Sequence, residues 1–128
     1  MTPRQILEAY KIVAVVGLSP NPRRPSNEVS KFLISRGYTV IPVNPGHREI
    51  LGQASHRDLL SIGRPVEIVD IFRRSEEVPP IVDQAIEIGA RVVWMQLGVI
   101  HEAAAEKARA AGLEVVMDRC PMIELIRG

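Results

Sequence analysis

Five short apolar runs punctuate the chain: Ile12 to Val16, Thr39 to Val43, Val66 to Phe72, Arg91 to Leu97 and Glu114 to Met117. They are rich in Val and Ile and mostly do not alternate with polar residues. That pattern predicts strands covered on both faces, as in a parallel sheet. Between the runs the spacing turns helical. Ser26 to Arg36 puts Val29, Phe32 and Leu33 on one side and is stopped by Gly37. Pro80 to Ile88 turns Ile81, Val82, Ala85 and Ile86 inward before Gly89, and alanine-rich Ile100 to Ala111 ends at Gly112. A first helix, Pro3 to Ala9, has Thr2 as its cap, Pro3 at its first position and Gln5 completing a capping box. Ser55 and Asp58 stand at the same spacing, which predicts a short helix over Ser55 to Ser61, and Pro121 to Ile126 predicts a last turn.

Strand and helix in alternation imply right-handed crossovers. The expected fold is therefore one Rossmann-like α/β domain over residues 1–128, three layers deep, with a five-stranded, mainly parallel sheet and helices on both faces. The 128 residues suit one domain with a self-sufficient core. No apolar run approaches the length of a membrane span, and the N-terminus lacks the pattern of a secretory signal. One cysteine, Cys120, excludes an internal disulfide and suits a reducing compartment, so a cytoplasmic protein is expected. A net charge of +1 and 4% aromatic residues argue against a nucleic-acid partner. The positive charge is nonetheless clustered, in the doublets Arg23-Arg24 and Arg73-Arg74 beside strand ends.

The first strand runs into Gly17, and a loop from Leu18 to Pro25 leads to a helix opening at Ser26. Such a turn aims free helix N–H groups at whatever lies over the carboxyl edge of the sheet, where open α/β sheets bind ligands. Gly17 allows close approach of an anion, Ser19 and Ser26 offer hydroxyls, and Arg23 and Arg24 can grip phosphate bidentately. Read alone, the loop serves equally as a surface turn stiffened by proline. A G-x-G-x-x-G fingerprint is absent, and Asn44 stands where a dinucleotide site needs an acid, which counts against a nicotinamide or flavin oxidoreductase. No Walker motif is present.

The other strand ends offer further polar groups. Val43, Asn44 and Pro45 form a turn that suits either a plain bend or a ledge for a flat ring. Phe72 can lie under such a ring or in the core. Arg73 and Arg74 crowd the edge that already holds Arg23 and Arg24, and like charges so placed repel unless an anion joins them. Gln96 and Gly98 close the fourth strand, behind Trp94 and Met95, which read as core. His47, His56 and His101 lack metal-ligand spacing, and no catalytic triad or paired carboxylates appear. Cys120 reads as a buried small hydrophobe or as a thiol near the site.

In order, these strand ends read V-V-G-L-S-P, V-N-P, D-I-F-R-R, W-M-Q-L-G and V-M-D-R-C-P. The series, spread from about Ile12 to Glu124, resembles the small CoA-binding-domain proteins and, more distantly, the N-terminal CoA-binding domain of the succinyl-CoA ligase α subunit. The resemblance implies CoA or an acyl-CoA lying across the carboxyl edge. It casts Gly17, Ser19 and Pro20 as the pyrophosphate loop, with Arg23, Arg24 and Ser26 as further phosphate contacts. Val43, Asn44 and Pro45 become the adenine ledge, with Phe72 and Arg73 opposite and Arg74 beside them; Gln96 and Gly98 lie towards the pantetheine arm. The ligase's loop is richer in glycine, and its phosphohistidine lies in a second domain. The expectation is thus a binding protein without catalysis of its own, with a protein acceptor of the CoA-bound form as a further partner. The competing expectation is an enzyme acting on acyl-CoA thioesters through Gln96, His101 or Cys120.

Overall fold

A computed structural model describes residues 1–127. In chain order its strands are β1 (Ile12–Val16), β2 (Thr39–Val43), β3 (Glu49–Ile50), β4 (Gln53–Ala54), β5 (Ile68–Ile71), β6 (Val92–Met95) and β7 (Glu114–Val116). Its α-helices are α1 (Pro3–Ala9), α2 (Pro25–Ser35), α3 (Val78–Glu87), α4 (Glu102–Ala110) and α5 (Pro121–Arg127). Five strands build a wholly parallel sheet in the order β2-β1-β5-β6-β7. The chain leaves β1 for β2 on one side, then returns to place β5 on the other. The carboxyl ends of β1 and β5 therefore form the switch point of this Rossmann-like sheet.

Each face of the sheet is covered by its own apolar layer. Ala14, Val69, Ile71, Val93 and Met95 point towards α3 and α4, meeting Val82, Ala85, Ala105 and Ala108. Val13, Val15, Ile68 and Trp94 point the other way, against Ile6 and Leu7 of α1 and Val29 and Leu33 of α2. Because both faces are buried, the strand sequences need no polar alternation, and β5 and β6 are buried at every position.

The first helix is capped as its sequence demands. Gln5 N donates to Thr2 Oγ1 at 3.1 Å, and Thr2 N donates to Gln5 Oε1 at 2.8 Å. The similar spacing at Ser55 and Asp58 produces no helix, which corrects the expectation over Ser55 to Ser61. There the Ser55 hydroxyl donates to Asn44 O, and Asp58 Oδ1 accepts from Ser61 N within a turn. His56 instead forms a parallel bridge with Val43, giving its N–H to Pro42 O and taking the Asn44 N–H. This bridge extends over the outer edge of β2 and protects part of it from solvent. The β3–β4 hairpin just before it turns through Leu51 and Gly52, both at positive φ (53° and 73°), as a two-residue primed turn requires.

Candidate functional site

The loop between β1 and α2 is folded on itself by its own side chains. Ser19 N donates to Ser26 Oγ (3.0 Å), Asn21 N to Ser19 Oγ (3.1 Å) and Arg23 N to Asn21 Oδ1 (3.0 Å). Asn27, buried on α2, gives its Nδ2 to Ser19 O at 2.9 Å. Asn44 reaches across from the end of β2 and donates to Leu18 O at 3.0 Å, while its Oδ1 accepts from Gly46 N. The serine hydroxyls accept from loop amides, so their own protons remain free to donate. Ser26 N, in the first turn of α2, has no partner among the described residues and carries the positive end of the helix dipole.

Gly17 has a reason of its own to be glycine. Its φ is +88°, and a Cβ there would stand 2.4 Å from the Phe72 carbonyl oxygen. Its N–H is spent on Val43 O at 2.9 Å. The residue thus ties the ends of β1, β2 and β5 together, and its amide is not offered outward.

Three grooves abut along the carboxyl edge. The first, about 450 Å³, is bounded by Val16, Val43, Pro45, Leu59 and Arg73. The second, about 750 Å³, runs between α2 and α5 past Val29, Phe72, Arg73, Arg74, Gln96 and Cys120. The third, about 320 Å³, lies over Gly17, Ser19, Arg24, Pro25, Ser26 and Phe72. Arg73 belongs to the first two, and Pro25 and Phe72 to the last two, so the three read as one trough.

Of the four arginines, Arg24, Arg73 and Arg74 line this trough, and Arg23 is exposed outside it. Arg74 is held by exposed ion pairs to Glu76 and Glu77, both 3.4 Å from its Nε. Arg74 N donates to Glu77 Oε2; that bond, with the Arg74 and Arg73 guanidinium groups, lowers the pKa of Glu77. Arg24 and Arg73 have no carboxylate partner among the described residues.

Beneath the trough sits a buried carboxyl group that sequence reasoning gave no role. Asp70 on β5 is fully buried, and desolvation pushes its pKa well above the usual carboxylate range. Gln96 turns its Nε2 to the Asp70 carboxyl, 2.9 and 3.3 Å from its two oxygens. Its placement inside a run of hydrophobic residues was the available signal.

Ser19, Ser26, Val43, Pro45, Phe72 and Gln96 all line the trough. Asn44 is a strut beneath it, while Pro20 and Gly98 line none of the three grooves. His101 caps α4, its Nδ1 accepting from Ala104 N at 3.1 Å. Trp94 and Met95 are core residues, fully buried. Val29, Leu97, Val99, Met122 and Ile123, none of them assigned to the site by sequence reasoning, wall the second groove. Among the described residues no metal-binding cluster occurs, and no helix is long and apolar enough to cross a membrane.

Known proteins are similar to this chain in sequence and in fold. An uncharacterized Bacillus subtilis protein, YneT, is 42% identical over 117 residues, which is 91% of this chain and 87% of YneT. A hypothetical protein from Pyrococcus horikoshii is 43% identical and superposes with a TM-score of 0.95, over 98% of this chain and 88% of its own. An ADP-forming acetate–CoA ligase of Archaeoglobus fulgidus is 28% identical over 120 residues, 86% of this chain, but this chain spans only 18% of the ligase. The strand-end series, the β2-β1-β5 switch point and the trough above it fall within residues 11–126, which match the family described as CoA binding domain, and the chain belongs to that family.

Proposed function

We propose that this protein binds coenzyme A, or an acyl-CoA, along the trough at the carboxyl edge of its sheet. The observation that carries the reading is the continuity of three grooves past Arg24, Arg73 and Arg74 at the switch point. The phosphates lie over Ser19, Ser26 and the free Ser26 N–H, where Arg24 supplies a guanidinium group. The adenine rests against Val43 and Pro45 in the first groove, with Arg73 at its boundary. The pantetheine arm follows the second groove towards Gln96. The reading is one of binding, with delivery of the bound form to a protein acceptor as its use.

Isothermal titration with CoA and dephospho-CoA tests it. Both should bind, with dephospho-CoA weaker if a guanidinium group reads the 3′-phosphate. Arg24→Ala or Arg73→Ala should cost about 1.5–3 kcal/mol, as for hydrogen bonds to a charged group. Absence of binding by either ligand would end the proposal.

A further inference from the structure

The second groove is the largest of the three, at about 750 Å³. Alone it falls within the ~300–1,000 Å³ that holds a whole drug-sized ligand. On the binding reading only the slender pantetheine arm enters it. Its lining divides by origin. The charged members, Glu28, Arg73, Arg74 and Glu77, come from α2 and from the connection between β5 and α3. The connection between β6 and α4 and the helix α5 instead supply Leu97, Val99, Met122 and Ile123, an apolar wall without a charge.

That wall is fixed before any ligand arrives. Val99 N donates to Gln96 O at 2.8 Å, Gly98 N to Asp118 Oδ1 at 2.7 Å and Ile100 N to Ser75 Oγ at 3.0 Å, which ties down the segment carrying Leu97. Trp94 Nε1 donates to Arg119 O at 2.8 Å and holds the approach to α5. Leu97 is nonetheless 57% exposed. One exposed leucine is ordinary, but a contiguous apolar surface along a groove marks a place for an apolar ligand group. Covering a preformed wall removes apolar area from water at little ordering cost.

Resting on the binding reading above, we infer that the ligand is an acyl-CoA whose uncharged chain, several carbons long, lies against this wall between the β6–α4 connection and α5. Free CoA ends in a thiol and leaves the wall in water. An acyl group ending in a carboxylate is disfavoured there. The wall offers it no cation, and Arg74 is already paired with Glu76 and Glu77. Taking an unpaired carboxylate out of water is costly.

Isothermal titration of the full-length protein with CoA and with acetyl-, butyryl-, hexanoyl-, octanoyl- and succinyl-CoA tests the inference. Affinity should climb from acetyl to octanoyl by at least about tenfold, since each methylene taken fully out of water is worth about fourfold. The heat-capacity change of binding should grow more negative along the same series. Succinyl-CoA, with as many acyl carbons as butyryl-CoA, should bind several-fold more weakly than it. Leu97→Ser, at an exposed position outside the core, should shrink the ratio of octanoyl to acetyl affinity. Equal affinity for CoA and every acyl form, weaker binding of longer chains, or succinyl-CoA as tight as butyryl-CoA overturns the inference and leaves the binding reading standing. An octanoyl preference untouched by Leu97→Ser also overturns it, because the chain then lies elsewhere. A protein that binds none of these compounds removes the binding reading and the inference together.

Discussion

Gly17→Ala separates what the glycine does for the fold from what it does for a ligand. The new Cβ would lie 2.4 Å from the Phe72 carbonyl oxygen and 3.4 Å from Arg73 Cδ. The side-chain methylene can swing aside, but the carbonyl belongs to the residue just past buried β5, whose own N–H is bonded to Val16 O. A left-handed residue with a Cβ costs about 1–2 kcal/mol. Forcing an extra carbon against rigid backbone adds roughly 1–3 kcal/mol. The expected loss, about 2–5 kcal/mol, is a large share of the ~5–15 kcal/mol typical of a domain. Gly37→Ala is the matched control: Gly37 has the same φ of +88°, and a Cβ there would meet nothing within 4 Å. It should lose only the conformational part, about 1–2 kcal/mol. Urea unfolding followed by the fluorescence of buried Trp94 reads both variants, and an unchanged urea dependence would show that the unfolded states are comparable. Should the two alanine variants lose equal stability, the Phe72 carbonyl is not a rigid wall, and the account of Gly17 as a tie between β1 and β5 is wrong.

Three further outcomes are expected. Asp70 is protonated more readily in the fold than in the unfolded chain, so its contribution is fully present in acid and is lost as pH rises through its raised pKa. Asp70→Asn should therefore match wild type in acid and become increasingly the more stable protein towards neutral and alkaline pH; a stability difference independent of pH in paired urea titrations would refute this. Asn44→Ala removes hydrogen bonds to Leu18 O and from Gly46 N, and should cost about 2–3 kcal/mol in thermal or urea unfolding, because the Leu18 carbonyl is left without its partner. Arg74→Ala breaks only exposed ion pairs to Glu76 and Glu77, so its stability should change by less than about 1 kcal/mol, and a larger loss in the same assay would mean the pairs do more than exposed ion pairs ordinarily do.

The sheet was legible because burial on both faces leaves an unbroken apolar run, a signal that needs no tertiary information. β1 and β2 span their whole runs, Ile12–Val16 and Thr39–Val43, whereas β5, β6 and β7 are shorter than theirs: β5 spans Ile68–Ile71 within Val66 to Phe72, because pairing ends before burial does. The capping box at Thr2 and Gln5 was legible for a similar reason, since both partners are local. Ser55 and Asp58 carry a related spacing but were captured by non-local partners: the Ser55 hydroxyl went to Asn44, and His56 went to the edge of β2. The β3–β4 hairpin was invisible because its strands have two residues each, and Leu51 occupies a positive-φ position where Asn or Asp is the usual marker.

At the candidate site, sequence placed the charges along the chain but could not aim them. The two doublets fare differently: Arg23 sits in the turn that Arg24 N closes on Asn21 O, whereas Arg73 and Arg74 both line the second groove. Arg24 lines the trough while Arg23 does not. The same limit hid the role of Gly17: a glycine at a strand end signals close approach, and the sequence does not say of what. Here it is the carbonyl of Phe72, the residue just past β5, whose register against β1 places Ile71 beside Val16. That register also sets Phe72 and Arg73 over the first loop. Stability and the shape of the trough are therefore specified by the same contact, and a substitution that disturbs one must disturb the other.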